Sequence, residues 1–199
     1  APHGDRDGGH APEEQAAALA KVADLLQETI DLWSHSGLQA AIVSGGSTPT
    51  AYQSHLIRQQ TEIRPGTYLF NDMNTVAGGF CGLEDCAASL VCTVVSNAVP
   101  GKVVVDAGTK THTSDRNIPK PESGHGWVVQ YPDAKIVRLS EEHGELDVTA
   151  CQRLPALGER VQIIPNHICP CVNLQDSAFI RTAEGEFHSI KIDARGKLS

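Results

Sequence analysis

Apolar residues recur at helical spacing near the start of the chain. On one face of a 3.6-residue repeat lie Ala16, Leu19, Ala20, Ala23, Leu26, Ile30 and Trp33. This period predicts an amphipathic helix from Pro12 to His35. Pro12 suits its first turn, and Gly37 stands where the chain must turn out of the helix.

Residues 36–70 alternate between short apolar runs and turn residues. We expect a strand at 38–43, a helix at 50–60 and a second strand within 61–70, where Pro65 and Gly66 interrupt it. Helix, strand, helix, strand is the order typical of an α/β layer with parallel strands.

Beyond residue 72 the pattern changes to β-branched runs separated by turn residues. The runs lie at 88–95, 102–105, 126–131, 136–139, 160–164, 177–180 and 187–192. They predict an all-β region, so we expect an α/β domain at 1–75 and a β-domain at 76–199. The proline-bearing segment 114–126 is expected to be an exposed loop between strands.

Composition and charge narrow the classes of function. A chain of 199 residues with 40% hydrophobic residues can bury a real core, and a net charge of -8 argues against nucleic acid as a partner. No apolar stretch approaches the ~20 residues of a membrane-spanning helix. Six scattered cysteines indicate reduced thiols in a cytoplasmic protein. The chain starts with neither Met nor a signal sequence, so we expect the interior of a longer chain or a processed product.

Turns at the ends of the two expected strands are candidate anion sites. The residues are Gly45, Gly46, Ser47 and Thr48 in the first turn and Gly66 and Thr67 in the second. Backbone N–H groups and hydroxyls at the start of a helix suit a phosphate, although an ordinary capped turn fits one short motif equally well. Ligands gather beyond the carboxyl ends of parallel strands, so two adjacent turns can grip one phosphate.

Two soft metal ligands stand two positions apart near the end of the chain. His167 and Cys169 follow the strand-like run 160–164. If the backbone stays extended, their side chains leave the same face and converge on one ion, with positions left open for water or substrate. The alternative is a hydrogen-bonded loop histidine beside a buried small cysteine. A four-thiol zinc site that includes Cys81 and Cys86 fits the spacing poorly.

Two further polar segments have structural interpretations that we favour over catalytic ones. Asp106 follows the apolar run 102–105, and binding of turn amides explains it best. Glu141, Glu142 and His143 combine carboxylates with an imidazole, which suits acid–base chemistry or a solvated turn. Without a partner for these side chains, we expect the turn.

Five motifs in order resemble one known family. They are SGGSTPT at 44–50, EIRPGTY at 62–68, DAG at 106–108, LSEEHG at 139–144 and PNHICP at 165–170. This set, which extends to about Leu174, resembles the D-threonine aldolase and D-serine dehydratase family. Its members are pyridoxal-phosphate enzymes of the alanine-racemase-like fold, in which a (β/α)8 barrel holds the cofactor and a β-domain adds the metal site.

The resemblance implies roles for the candidate residues. Both glycine turns would bind the phosphate of pyridoxal 5′-phosphate, while His167 and Cys169 would hold the divalent metal. The aldolases usually have an aspartate at the second metal position, where this chain has Cys169. A thiolate favours zinc, with manganese as the alternative.

The resemblance also implies a reaction and partners. The activity would be that of a lyase on D-hydroxyamino acids, by dehydration of D-serine or by retro-aldol cleavage of the D-threonine type. The partners would be the small D-amino acid and the N-terminal barrel portion of the same enzyme, in a homodimer.

The chain departs from the family pattern at its start. None of its lysines sits in the context of the Schiff-base lysine, which lies early in the family's barrel. The run Gly9-His10-Ala11-Pro12 resembles the family's Gly-His-Ser-Tyr but has Pro12 in place of tyrosine. We therefore expect the last βα units of the barrel followed by a C-terminal β-domain. The alternatives are a non-catalytic metal- or phosphate-binding or assembly module, and a structural zinc domain that uses His167, Cys169 and Cys171.

Overall fold

The computed structural model describes residues 12–197, which form two compact units. The first contains the described residues up to Leu69 together with Gly78–Cys81, and the second contains Phe70–Ala77 and the residues from Gly82 onward. The motif residues Gly9, His10 and Ala11 lie outside the described part. The division into functional domains at residue 75 stays a prediction.

The first unit begins with the predicted helix. Helix α1 spans Pro12–His35, which confirms the prediction, and strands β1 (Ser44–Gly45) and β2 (Glu62–Ile63) pair in parallel. Two 3-10 helices follow the strands, at Thr48–Leu56 and Thr67–Leu69. Helix, strand, helix and strand therefore occur in the predicted order.

The predicted bounds within this unit are wrong after α1. The strand expected at 38–43 forms only at Ser44–Gly45, and the strand expected within 61–70 is limited to Glu62–Ile63. The helix expected at 50–60 is a 3-10 helix that starts earlier. Apolar spacing alone cannot place these bounds, because they depend on the pairing of β1 with β2.

The second unit is built mainly from antiparallel strands. Its strands are β3 (Leu90–Ser96), β4 (Lys102–Val105), β5 (Gly126–Val128), β6 (Lys135–Leu139), β7 (Gly144–Asp147), β8 (Arg160–Pro165), β9 (Ser177–Arg181) and β10 (Phe187–Lys191). The first six form one sheet in the order β5-β8-β3-β4-β7-β6, and β9 and β10 form a separate hairpin. All seven predicted runs contain a strand, which confirms the all-β pattern.

One strand of the sheet was not predicted. Strand β7 lacks β-branched residues, but it lies between β4 and β6, with Leu146 opposite Val103 on one side and Ile136 on the other. These three residues are fully or almost fully buried. Burial in the sheet interior therefore overrides the weak strand propensity of this segment.

The core of the second unit lies inside the six-stranded sheet. Its buried members are Cys92, Val94, Val103, Val105, Ala107, Val128, Tyr131, Ala134, Ile136, Leu146, Val148, Val161 and Ile163. Most are β-branched and alternate along the strands, because successive side chains of a strand point to opposite faces of the sheet.

The sheet is nearly closed at the end where β5 begins. The N–H of His125, next to β5, donates to the carbonyl of Ile136 in β6 at 3.1 Å. The prediction that 114–126 is an exposed loop is therefore partly wrong, because Asn117 and His125 are only 2% and 8% exposed. This segment closes the sheet in addition to connecting two strands.

Short helices complete the second unit. Helices α2 (Met73–Ala77), α3 (Thr109–His112) and α4 (Ile168–Leu174) accompany 3-10 helices at Leu83–Asp85 and Pro121–Ser123. Among residues 12–197, no helix combines the length and apolar character needed to cross a membrane.

Candidate functional site

Strand pairing brings the candidate metal residue His167 next to the loop that precedes β5. Gly126 at the start of β5 pairs with Pro165 at the end of β8. The residues just before Gly126 and just after Pro165 therefore leave the sheet at the same place. His167 meets Asp115 there, with Nδ1 and Oδ2 2.7 Å apart, although the two residues are 52 positions apart in sequence.

The backbone around Cys169 differs from the prediction. His167 is extended (φ -137°, ψ 105°), but helix α4 begins at Ile168, so the argument from an extended backbone is wrong. Pro170 is tolerated in α4 because it occupies the first helical turn. His167 and Cys169 thus project from a helix cap and from the first turn of a helix.

The two cysteines of helix α4, Cys169 and Cys171, differ in their exposure to solvent. Ile168 and Cys171, three positions apart on one face, are 3% and 1% exposed, whereas Cys169 is exposed. The interpretation of Cys169 as a buried small residue is therefore wrong. Burial and the nearby carboxylates raise the pKa of Cys171 to about 12, and its thiol lies 3.2 Å from the carbonyl oxygen of His112.

Within residues 12–197, no three or more His, Cys, Asp and Glu side chains are arranged to hold a metal ion. A closed structural zinc site needs four ligands. Cys171, the third member of the structural-zinc alternative, is buried and protonated. Among the described residues, His167 and Cys169 therefore offer a metal only part of a four-ligand set.

Buried polar side chains hold the backbone on both sides of His167. Asn166, 2% exposed, donates from Nδ2 to the carbonyls of Asp115 at 3.1 Å and Gly124 at 2.8 Å. On the other side, the N–H of Ile168 donates to Oδ2 of Asp72 at 3.1 Å, and Asp72 is 1% exposed. Our sequence interpretation did not identify Asp72, Asp115 or Asn166 as site residues. Only Asp72 has a local signal, the Asp-x-x-Thr pattern of a helix cap.

Two buried histidines lie in the same part of the second unit. His112 is 1% exposed, and burial lowers its pKa to about 4, assisted by the charge of neighbouring His125. Burial and the charge of Arg116 lower the pKa of His125 as well. Neither ring nitrogen of His112 has a hydrogen-bond partner within the described residues. Both histidines are therefore neutral at physiological pH.

The motif at 106–108 and the motif at 139–144 pack against each other. The N–H groups of Thr109 and Lys110 donate to the carbonyls of Ser140 and Glu141 at 2.8 and 3.1 Å. A Cβ on Gly108 would come within 2.4 Å of these carbonyl oxygens. Glycine at this position therefore allows the close approach of two loops.

The polar residues of these motifs have structural contacts. Oδ1 of Asp106 accepts a hydrogen bond from the N–H of Thr93 at 2.6 Å, which ties β4 to β3. The N–H of Ser140 donates to the carbonyl of His143 at 2.8 Å, as expected for a turn. Ion pairs with Glu142 and Glu141 raise the pKa of Lys110. A Schiff-base lysine needs the opposite shift.

In the first unit the two glycine turns meet as predicted. They follow the paired strands β1 and β2, and the N–H of Tyr68 donates to Oγ1 of Thr48 at 3.1 Å. Gly46 has φ +75°, a conformation that glycine adopts without strain, and Ser47 is the extended cap of the 3-10 helix. Arg64 donates from Nη1 to the hydroxyl of Ser44, just before Gly45. The same hydroxyl donates to the carboxylate of Glu62, so a cation, an anion and the start of a 3-10 helix all lie beside the first turn.

A family model described as a putative serine dehydratase domain matches residues 87–181. The chain is 33% identical over 172 residues to D-threo-3-hydroxyaspartate dehydratase of Delftia sp. (strain HT23), covering 79% of this chain and 43% of that protein. It is 28% identical over 197 residues to D-threonine aldolase of Arthrobacter sp., covering 98% and 50%. The chain thus spans about half the length of these two relatives.

A shorter relative is matched almost completely. An uncharacterized protein of Mycobacterium tuberculosis is 32% identical over 133 residues, which cover 65% of this chain and 98% of that protein. A relative at this identity and coverage places both chains in one family.

Solved structures share the fold. D-threonine aldolase from Filomicrobium marinum superposes with a TM-score of 0.75 at 28% identity, covering 94% of this chain and 50% of that chain. A D-threo-3-hydroxyaspartate dehydratase variant with a cysteine replaced by alanine, described as the metal-free form, gives 0.76 at 27% identity, covering 94% and 52%. In another solved structure of a D-threo-3-hydroxyaspartate dehydratase, alanine replaces a histidine. That histidine lies two positions before the cysteine replaced in the metal-free variant. The predicted fold class, the last βα units of a (β/α)8 barrel followed by a β-domain, is confirmed.

Proposed function

Because the chain belongs to the D-threonine aldolase and D-serine dehydratase family, we propose that it forms the C-terminal part of a lyase acting on D-hydroxyamino acids. The lyase uses pyridoxal 5′-phosphate and a divalent metal, with zinc favoured over manganese. Its reaction is either dehydration or retro-aldol cleavage. The names of the similar proteins, which are dehydratases and aldolases of D-hydroxyamino acids, support this class.

The observation that carries the proposal is the position of His167 and Cys169 at the end of β8. Both side chains are accessible, and they offer an imidazole nitrogen and a thiol, a donor set that suits zinc. Their spacing equals that of the histidine and cysteine replaced in the two dehydratase variants, one of which is described as metal-free. We assign the metal to these two residues, with its other positions open.

The two glycine turns fit the phosphate of the cofactor. Their backbone and hydroxyl groups meet beyond β1 and β2, where Arg64 and Glu62 both contact the hydroxyl of Ser44. We assign the phosphate to Gly45, Gly46, Ser47 and Thr48, with Gly66 and Thr67 from the second turn. The Schiff-base lysine belongs to the N-terminal barrel portion, which is the expected partner of this chain.

The residues of this chain hold and orient the reacting groups. When bound, the metal would supply Lewis-acid polarisation of the substrate's β-hydroxyl, and pyridoxal phosphate would supply an electron sink for the α-carbon. His167 binds through Nε2, because Nδ1 faces Asp115. Cys169 supplies a thiolate, and its buried neighbour Cys171 stays protonated and takes no part.

Metal dependence and substitution of His167 test the function. The full-length enzyme is purified, treated with a chelator and assayed for turnover of D-serine, D-threonine and D-threo-3-hydroxyaspartate. We expect turnover of at least one substrate to depend on added zinc or manganese and to fall at least ~100-fold in His167→Ala. His188→Ala is the matched control, since His188 is an exposed histidine of β10. Equal turnover by His167→Ala and the wild type would refute the metal's role.

A second candidate function is a binding or assembly module without chemistry. The shorter Mycobacterium tuberculosis relative favours it, because nearly all of that protein aligns with part of this chain. Borohydride treatment of the full-length protein, which includes the portion N-terminal to this chain, with pyridoxal phosphate discriminates between the two functions. A stoichiometric adduct on one specific lysine, located by mass spectrometry, excludes the module, and no specific adduct supports it.

A further inference from the structure

We propose that Asp115 is a positioning residue for His167, fixing its ring as the Nδ1–H tautomer so that Nε2 faces the metal. The inference rests on the metal-binding role proposed above for His167. It concerns a side chain outside the five motifs, in a segment that the sequence indicated only as an exposed loop.

The geometry of the pair determines which ring nitrogen carries the proton. Nδ1 of His167 and Oδ2 of Asp115 are 2.7 Å apart, the separation of a charge-assisted hydrogen bond. An ionised carboxylate can only accept, so Nδ1 must donate and Nε2 keeps its lone pair in the neutral ring. Metal-binding histidines generally carry such an acceptor on their other nitrogen, which fixes the ring and raises its basicity.

Asp115 is itself held in place by the surrounding loop. Its N–H donates to Oγ1 of Thr113 at 3.1 Å, and its carbonyl accepts from Nδ2 of buried Asn166 at 3.1 Å. Thr113 has φ +71°, which is unusual for a β-branched residue and turns the chain there. A non-glycine residue in this region persists where surrounding contacts over-determine it, as they do at functional sites.

Hydrogen bonds also hold the backbone on both sides of His167. Asn166, directly before it, joins the loop of Asp115, while the N–H of Ile168, directly after it, donates to buried Asp72. The carboxylate and the imidazole thus approach each other from two anchored segments. An ordinary surface ion pair lacks such anchors and adds little to stability. We infer that the pair is built to orient the ring.

The tautomer of His167 tests the proposal without any catalytic assay. Nitrogen NMR of the metal-free protein at about pH 8, where histidine is neutral, distinguishes a protonated from an unprotonated ring nitrogen. We expect the Nδ1–H tautomer for the wild type and for Asp115→Asn, which keeps an acceptor. In Asp115→Ala we expect the Nε2–H tautomer to appear. Asp193→Ala, at an exposed aspartate of the same unit, is the control.

Zinc affinity provides the second measurement. Competition with a chromophoric chelator should show a loss of about 10- to 100-fold in Asp115→Ala and a smaller loss in Asp115→Asn. The inference is overturned if Asp115→Ala keeps both the wild-type tautomer and the wild-type zinc affinity, or if the wild-type ring is the Nε2–H tautomer. Wild-type zinc affinity in His167→Ala would instead refute the metal-binding role itself, so the two failures are distinguishable.

Discussion

The carboxylate of Asp72 accepts a hydrogen bond from the N–H of Ile168 at 3.1 Å, although the two residues are 96 positions apart in sequence. Its other oxygen accepts from the N–H of Thr75 at 3.0 Å and caps helix α2. One buried acid therefore holds the starts of α2 and α4. Since Ile168 follows His167, this hydrogen bond also limits where His167 can lie.

Replacing Asp72 with alanine should destabilise the protein by about 3 kcal/mol. The change removes a helix cap, which contributes ~1 kcal/mol, and leaves a buried N–H of Ile168 unpaired, which costs ~1–3 kcal/mol. The free energy of unfolding from urea titration measures the effect. Asp193→Ala, at an exposed aspartate, should change it by less than ~0.5 kcal/mol. Similar losses in both variants would contradict the structural role of Asp72.

The second unit was largely predictable because most of its strands are β-branched and its core positions alternate. Val103 and Val105 on β4, for example, are both buried, as period 2 requires. The short strands β1 and β2 were misplaced, since Ser44, Gly45 and Glu62 carry little intrinsic strand propensity and the two strands form a sheet only through their pairing. The local sequence pattern therefore predicts strands that contribute buried apolar side chains to a core, and it does not place strands that depend on pairing alone.

The sequence predicted part of the candidate site, but the backbone geometry on which that prediction relied is not the one in the structure. His167 and Cys169 were identified by their chemistry, but the extended backbone invoked for them ends at helix α4. Asp115 was missed because its partner lies 52 positions away and is brought close only by the pairing of β5 with β8. Contacts of this kind depend on register, which no local spacing encodes.

Replacing Gly124 with alanine should destabilise the protein by about 3 kcal/mol. Gly124 has φ +93°, and a Cβ there would come within 2.4 Å of the carbonyl oxygen of Ile136 at the point where the sheet closes. Gly158→Ala is the matched control, because Gly158 has φ +81° with no atom near a Cβ, so it should cost only ~1 kcal/mol. Urea titration of both variants separates backbone strain from the clash, and equal losses would rule out the clash.

Acidification should destabilise the protein between about pH 6.5 and pH 4 through His112. Its pKa in the folded protein is lowered from 6.5 to about 4, so the unfolded chain binds the proton first as pH falls. The contribution of neutral His112 is fully present above pH 6.5 and declines by about 3 kcal/mol on the way to pH 4. Unfolding free energies measured across this range test the expectation.

Substituting His112 shows how much of the decline in unfolding free energy at acidic pH is due to this residue. His112→Leu removes the titrating group and two unpartnered ring nitrogens, so the decline in unfolding free energy should become shallower over the same range. His143→Gln, at an exposed turn histidine, should leave the profile unchanged. An unaltered profile in His112→Leu would assign the acid sensitivity to other groups.

Zinc should protect Cys169 from alkylation and leave the other cysteine of α4 unaffected. Cys169 is exposed, whereas Cys171 is 1% exposed with a pKa of about 12, so Cys171 holds almost no reactive thiolate near neutral pH. Iodoacetamide labelling followed by fragmentation of the shared peptide should show Cys169 modified first. A metal bound to the thiolate makes it unavailable to iodoacetamide, so zinc should slow the labelling of Cys169 at least ~10-fold.

His167→Ala should abolish the protection, and Cys171→Ser should preserve it. If zinc left the labelling rate of Cys169 unchanged, the thiol would not be a metal ligand, and only His167 would remain as a candidate.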